Sequence, residues 1–470
     1  MFPASFRLQV LLCVPALVYM LAAAYTHQRG DDQPTGDEPF YLLAAESIVQ
    51  DADVNLKNNH ERLGTHPAAT HCVLREHGWF SVHNLGLTAL IALPWAVAGP
   101  LGARLMSALC AGLAAPLLFQ VINAIWQQPR ASFVIALALA LGMPLVHASS
   151  QIYPDLPAGI LLLFLAGRAL TAEAEPPALR WRDLCVPAAI AFLPWLHIKY
   201  AGPALVALGW YALAARWKRS LLNAAALGAS LTLLAWYNWY AFGRPTGPYA
   251  QGSLTAGLNS FIVFTGLHFD QAQGMFLQQP LWLLGLIGLA PMWRASRRTG
   301  ACWTLLYLAA ILPNAMHPMW YGGHSYIGRF GATAVLLWAV PLAFAARTLF
   351  ASGSRAPTVL AVAALAWQLC LARNWLTAGE GLLYPWDRAE LWRPCVWSYN
   401  GFFPHRLRDY LPYWQPFVEF WRYPANFAAL IVAWGLPICG LCFIWRRKVA
   451  WLCLLGTSTA AVLLAVAAPV

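Results

Sequence analysis

Two carboxylates stand side by side in "TGDEPFY": Asp37 and Glu38, about a dozen residues past an apolar N-terminal segment. A carboxylate pair at a membrane face could supply a general base, taking the proton of an attacking hydroxyl. The plainer reading is a helix start, because Asp37 precedes Pro39 and the run "FYLLAAESIVQ", and aspartate is a favoured N-cap with proline just inside the helix. A cap uses one side-chain oxygen, which leaves the second carboxylate unexplained. Asp155, in "YPDLP", heads an apolar block. Its spacing to Pro157 also permits a cap, yet an anion so near a membrane core is costly without a role. His60, His66, His71, His77 and His83 crowd the stretch between. The spacings of His66, His71 and His77 put them on no common helical face and form no tight zinc pattern; no cofactor is certain, and a divalent metal stays open.

The elements that position these residues follow from composition. The chain has 470 residues, of which 60% are hydrophobic and 10% charged. A soluble domain carries about a quarter charged residues, so this is a polytopic membrane protein. Its apolar residues fall into fourteen blocks, each near the length that a helix needs to cross roughly 30 Å of hydrocarbon. The net charge of +11 comes from basic residues at block ends. That is a topological pattern and excludes a nucleic-acid face. With Arg7 inside and all fourteen blocks spanning, the clusters Arg216, Lys218, Arg219, then Arg294, Arg297, Arg298, then Arg446, Arg447, Lys448 would all lie outside. The positive-inside rule opposes this. Dropping the block at 84–99 brings each cluster inside and leaves thirteen spans, with only Glu173, Glu175 and Asp183 of the nineteen carboxylates on the basic side.

The expected architecture is therefore all-α: about thirteen transmembrane helices, with amphipathic helices in a first external loop at 26–102. Further external parts are a turn at Tyr153–Asp155, a turn at Lys199, and loops at 242–274, 318–330 and 373–425. Loops on a rigid scaffold are where chemistry concentrates. The expected division is 1–350 as the catalytic membrane module and 351–470 as a C-terminal membrane part. The N-terminal run reads as a span, being long for a signal core; the alternative is a signal peptide cleaved near the small residues of "LAAA". Eight of the ten cysteines fall within spans; Cys72 and Cys395 are external and either pair or stay free thiols. Arginine outnumbers lysine 26 to 4 and alanine is abundant, which suggests a GC-rich bacterial source.

The order of "TGDEPFYLLAAESIVQDADVNLKNN", "SVHNLGLTALIALPWAVAG", "YPDLP", "LPWLHIKY" and "WYGGHSYIGRF" resembles the C-type glycosyltransferases, in particular the branch of protein O-mannosyltransferases and lipid A aminoarabinose transferases. The resemblance covers much of the first 330 residues and fades beyond. It implies a bacterial inner-membrane enzyme, active on the external face, that moves a sugar from a polyprenyl-phosphate carrier to a hydroxyl on a lipid, glycan or protein. It implies that Asp37 is the catalytic base, with Glu38 its assistant and Asp155 a second acidic site. The segment at 84–99 would lie along the membrane surface. A leaving lipid phosphate needs cations, and Lys199 and Arg329 are the external ones closest to spans. His83, Asn84, Tyr153 and His324 would face donor or acceptor.

Two other classes compete. A transporter or flippase for lipid-linked sugars would show inverted repeats and ionisable residues in mid-span, and neither is clear. An O-antigen polymerase or ligase would place its chemistry in a late external loop, where Arg393, His405, Arg406 and Arg408 offer themselves; the early acidic loop weighs against it.

Overall fold

The computed structural model describes residues 4–30, 32–65, 71–172, 181–214, 217–249, 254, 257–270, 273–317 and 328–351, with 359, 362–363, 365–369 and 426. The turn holding His324, the loop at 373–425 with Cys395, and nearly all of the expected C-terminal part lie outside the described residues. The fold is mostly helical. Among the described residues, four helical stretches, Phe6–Gln28, Leu85–Trp126, Trp217–Phe242 and Arg329–Ala351, are long and apolar enough to cross a membrane.

The chain divides into two compact units: Leu12–Ala114 with His147–Ser253, and Met1–Leu11 with Ala115–Val146 and Leu254–Val470. The elements of the first unit are most of α1 (Ala4–Gln28), α2 (Glu38–Gln50), α3 (Lys57–Leu63), the strands β1 (Cys72–Arg75) and β2 (Gly78–Ser81), and α4 (Leu85–Gly112). The second unit takes α5 (Ala114–Trp126) from its second residue, then α6 (Pro129–Ala140) and the start of α7 (Leu145–Ala148). The first unit resumes with α8 (Asp155–Thr171), α9 (Cys185–Leu196), α10 (Ala201–Ala214) and α11 (Trp217–Phe242). The second resumes with α12 (Leu258–Phe269), α13 (Met275–Gln278), α14 (Leu284–Ala295), α15 (Arg297–Ala315), α16 (Arg329–Val335) and α17 (Ala339–Ala351).

Helix α11 shows why these helices suit lipid. Its inward face carries Arg219, Asn223, Leu227, Ser230, Leu234 and Asn238, at steps of three and four residues that keep one side of a helix together. Trp217, Leu221, Leu233, Trp236 and Trp239 are exposed. Polar groups inward and large apolar groups outward is the pattern for a hydrocarbon solvent. At the basic end of the same unit Arg219 donates to Asp183 at 3.0 Å and Arg168 donates to it at 3.4 Å.

Helix α4 leaves helical geometry at Ala98 (φ −141°, ψ 23°) and Gly99 (φ 57°, ψ −143°), just before Pro100. The piece before the break is about 20 Å long, short of a full hydrocarbon crossing, and Leu93 and Val97 on it are exposed.

One element departs from the all-α expectation. β1 and β2 form an antiparallel hairpin, with Cys72 opposite Ser81 and Arg75 opposite Gly78 across a two-residue turn. Val73 and Phe80 pack on Leu234, Tyr237, Ala241 and Phe242 of α11. Cys72 packs with Leu43, Ala44 and Leu56. The two-residue alternation of a strand divides its side chains between these faces. Leu56 N donates to Trp79 O at 2.8 Å and Trp79 N donates to Asn55 Oδ1 at 2.9 Å, so the "DADVN" turn fastens the hairpin. Asp53 Oδ1 in that turn accepts from Ser47 Oγ at 2.8 Å and from Asn55 N at 3.0 Å.

In the second unit α14 and α17 meet so closely that a Cβ on Gly288 would lie 1.7 Å from Pro341 O. Trp303, Tyr307 and Trp338 pack together there, with the Trp303 and Tyr307 rings stacked at 5.1 Å.

Candidate active site

Helix α2 begins where the sequence places it, and its N-cap residue and first residue have different surroundings. Asp37 occupies the N-cap position with φ −87° and ψ −10°, and its side chain makes no capping hydrogen bond. Its backbone carbonyl accepts from Phe40 N at 3.1 Å and Tyr41 N at 3.3 Å. The cap reading therefore does not account for the carboxylate.

Glu38 is fully buried, as is Arg104 of α4 at 1% exposure. Oε1 of Glu38 accepts from Arg104 Nη1 at 3.2 Å and from Ile152 N at 2.8 Å. Oε2 accepts from Arg104 Nη2 at 3.3 Å and from Thr35 N at 3.0 Å. A carboxylate offers about four lone-pair sites, and all are taken. Arg104 also donates to Ser150 O at 3.0 Å and Asp32 O at 2.7 Å, with Nε 3.6 Å from an Asp32 carboxylate oxygen. Tyr153 OH donates to Thr35 O at 2.7 Å. The "YPDLP" turn is thus tied to the "TGDEP" turn through Tyr153 and Ile152.

Asp155 opens α8 and is fully buried. Its Oδ1 accepts from Lys199 Nζ at 2.8 Å and from Tyr200 OH at 2.7 Å. Two residues expected at the site are therefore an ion pair, held where Pro194 in α9 precedes an extended His197 (φ −167°, ψ 142°) and a short 3-10 turn, Ile198–Tyr200. His197 Nδ1 accepts from Lys199 N at 3.1 Å, and its other ring nitrogen lies 2.9 Å from Tyr249 OH.

His83 and Asn84 close the first loop. Asn84 donates through Nδ2 to Pro194 O at 2.7 Å, using a carbonyl at the end of α9. Next to it, a Cβ on Gly86 would meet Trp195 O at 2.6 Å, so α4 and α9 touch backbone to backbone here.

His83 has an unexpected partner. His71 Nδ1 lies 3.4 Å from His83 Nε2, and ligand atoms of Asp37, His71 and His83 all lie within 4.8 Å of one another. The hairpin sets this spacing, because Val82 N donates to His71 O at 3.1 Å and extends the ladder by one step. Helix α2 adds walls. The Phe40 ring stacks on His71 with centroids 3.9 Å apart, and the Tyr41 ring lies 4.7 Å from His83. Burial pushes the His71 imidazole pKa below its usual value, while the Asp37 charge pulls it the other way. Burial pushes the neighbouring Cys72 thiol up to about 11, so it stays protonated at neutral pH; Cys72 Sγ lies 3.8 Å from His60 Nε2.

Arg329 belongs to the second unit. It heads α16 after Gly328, whose φ of +73° suits glycine, and its guanidinium lies 5.2 Å from the Phe330 ring centroid. The first unit thus gathers Asp37, Glu38, Asp155, Lys199, His83, Asn84 and Tyr153, and adds Arg104 and His71. An arginine one residue inside an apolar block signals a buried partner. His71 was visible only as the mirror of Val82 about a two-residue turn.

No family model matches the chain, and no curated protein matches it. Among solved structures, ArnT from Cupriavidus metallidurans in the apo state matches 98% of this chain with 75% of its own, at 13% identity and a TM-score of 0.50. The structure of ArnT from the same organism bound to undecaprenyl phosphate matches 99% of this chain with 76% of its own, at 14% identity and a TM-score of 0.48. At such identity the first likeness is one of fold. The chain has an ArnT-like fold, in keeping with the resemblance drawn from segments of its first 330 residues.

Proposed function

We propose that the protein is a membrane glycosyltransferase of the C type, moving a sugar from a polyprenyl-phosphate carrier to an acceptor hydroxyl. The observation that carries this reading is the contrast at the head of α2. Glu38 is locked by Arg104 and two backbone amides, whereas the Asp37 carboxylate makes no cap and stands beside two imidazoles. Asp37 takes the hydroxyl proton, the freed oxygen pair attacks the anomeric carbon, and the bond from that carbon to the phosphate oxygen breaks, its electrons leaving with the lipid phosphate. A single displacement inverts the sugar.

The other residues hold this geometry. Glu38 and Arg104 fix the start of α2. Asp155 positions Lys199, whose ammonium has three donors and can meet a phosphate oxygen while still paired. In this reading the chain crosses the bacterial inner membrane about thirteen times with the first loop outside, so the donor reaches Asp37 sideways from the bilayer.

The test is to present the purified full-length protein with a panel of radiolabelled polyprenyl-phosphate sugars and envelope lipid acceptors. At least one donor should be consumed and its label moved to a new product. If folded protein turns over none of them, the transferase reading falls. In sealed right-side-out vesicles, a cysteine introduced at Glu76, exposed in the hairpin turn, should react with an impermeant maleimide; protection there would reverse the assigned face.

A further inference from the structure

We propose that Asp37, His71 and His83 form a site for a divalent transition-metal ion of the zinc type. The separation of His71 Nδ1 and His83 Nε2 is 3.4 Å. Two imidazole nitrogens bound to one zinc at about 2.0–2.1 Å with tetrahedral angles stand roughly 3.3 Å apart, so the pair already has the bite of a chelate. The carboxylate lies within 4.8 Å of both nitrogens. Closing that gap takes a movement of about 1.5 Å at most, which rotation of a carboxylate about its own bonds supplies.

The donor set selects the ion. Magnesium and calcium favour all-oxygen shells, while two imidazoles with one carboxylate suit zinc, cobalt or iron. Three protein ligands also leave a fourth position for an exogenous oxygen. The supports are in place: Phe40 and Tyr41 of α2 wall in both rings, and backbone bonds fix both histidines, with Val82 N on His71 O and His83 N on Ser81 Oγ at 3.2 Å. An aspartate and two histidines brought together from helix and hairpin are more than a hydrogen bond between rings requires.

Metal binding stands apart from the transferase reading; its use there rests on that reading. A hydroxyl in the fourth position would be acidified by the ion, easing its proton transfer to Asp37.

The experiment strips full-length protein in detergent with a chelator, then titrates Zn2+, Co2+ and Mg2+ and counts metal per chain by elemental analysis. The expected result is about one Zn2+ or Co2+ per chain, with Mg2+ not retained and with Co2+ giving the intense visible absorption of a low-coordinate site. His71→Gln and His83→Gln should each weaken binding by more than the roughly 10- to 100-fold seen for outer-shell partners, and His77→Gln should not. The cobalt spectrum of the wild type reads the ligand field without a variant. Absence of stoichiometric metal, or binding unchanged in the His71→Gln/His83→Gln double variant, overturns the site whatever the turnover. Metal bound with no donor consumed overturns the transferase reading and leaves the site. Turnover equal before and after stripping overturns the catalytic use.

Discussion

Asp37 and Glu38 are adjacent in the chain, and the surroundings of their side chains differ in kind. Glu38 meets a guanidinium and two amides inside the protein; Asp37 meets two imidazole rings. On the proposed reading, one carboxylate builds the site and the other serves as its base. The lesson is that a paired-carboxylate motif can divide its labour, one member building the turn that presents the other. The cluster around Asp155 repeats the first arrangement on a smaller scale, with Lys199 and Tyr200 as donors.

Substitutions can break that division. Asp37→Asn keeps the size and a ligating oxygen but removes the basic site. Turnover should fall by about 10²- to 10⁴-fold with the thermal unfolding midpoint nearly unchanged, and a variant with wild-type turnover would end the assignment of Asp37. Glu38→Ala should do the reverse. Leaving Arg104 buried with the more distant Asp32 as its remaining carboxylate costs about 3–5 kcal/mol, read as loss of folded protein on size exclusion and a lowered midpoint; a stable but inactive Glu38→Ala would make Glu38 a reacting group. Lys199→Met is smaller. Tyr200 still donates to Asp155, so destabilisation should be about 1–3 kcal/mol, accompanied by weaker donor binding. A donor titration showing unchanged apparent affinity would move the phosphate to another cation.

The sequence made some of this legible. "GDEP" before an amphipathic run marked the start of α2, and the turn holding Asp155 was marked by its prolines. Charge at the ends of apolar blocks marked 84–99 as distinct from the span after it, and α4 does break at Ala98 and Gly99. What stayed hidden depends on distance along the chain. Glu38 and Arg104 are 66 residues apart, and Lys199 and Asp155 are 44 apart; nothing local names such partners. The hairpin escaped because each strand is four residues long, too brief for alternation to stand out. Once it is missed, His71 is compared with His66 and His77 along the chain when its neighbour is His83 across a turn.

Arg104 carries a consequence for biogenesis. Its carboxylate partners, Asp32 and Glu38, are made before it, while Ser150 and Ile152, which complete the network, are made after. Ser150 follows by 46 residues, an interval of several seconds at translation rates of about 5–20 residues per second. The nascent arginine therefore reaches the translocon with its counter-ions and the Asp32 carbonyl already synthesised but with its second carbonyl acceptor, Ser150 O, still in the ribosome. Charge neutralisation comes first, and the later hairpin of helices locks a segment whose electrostatic debt has already been settled.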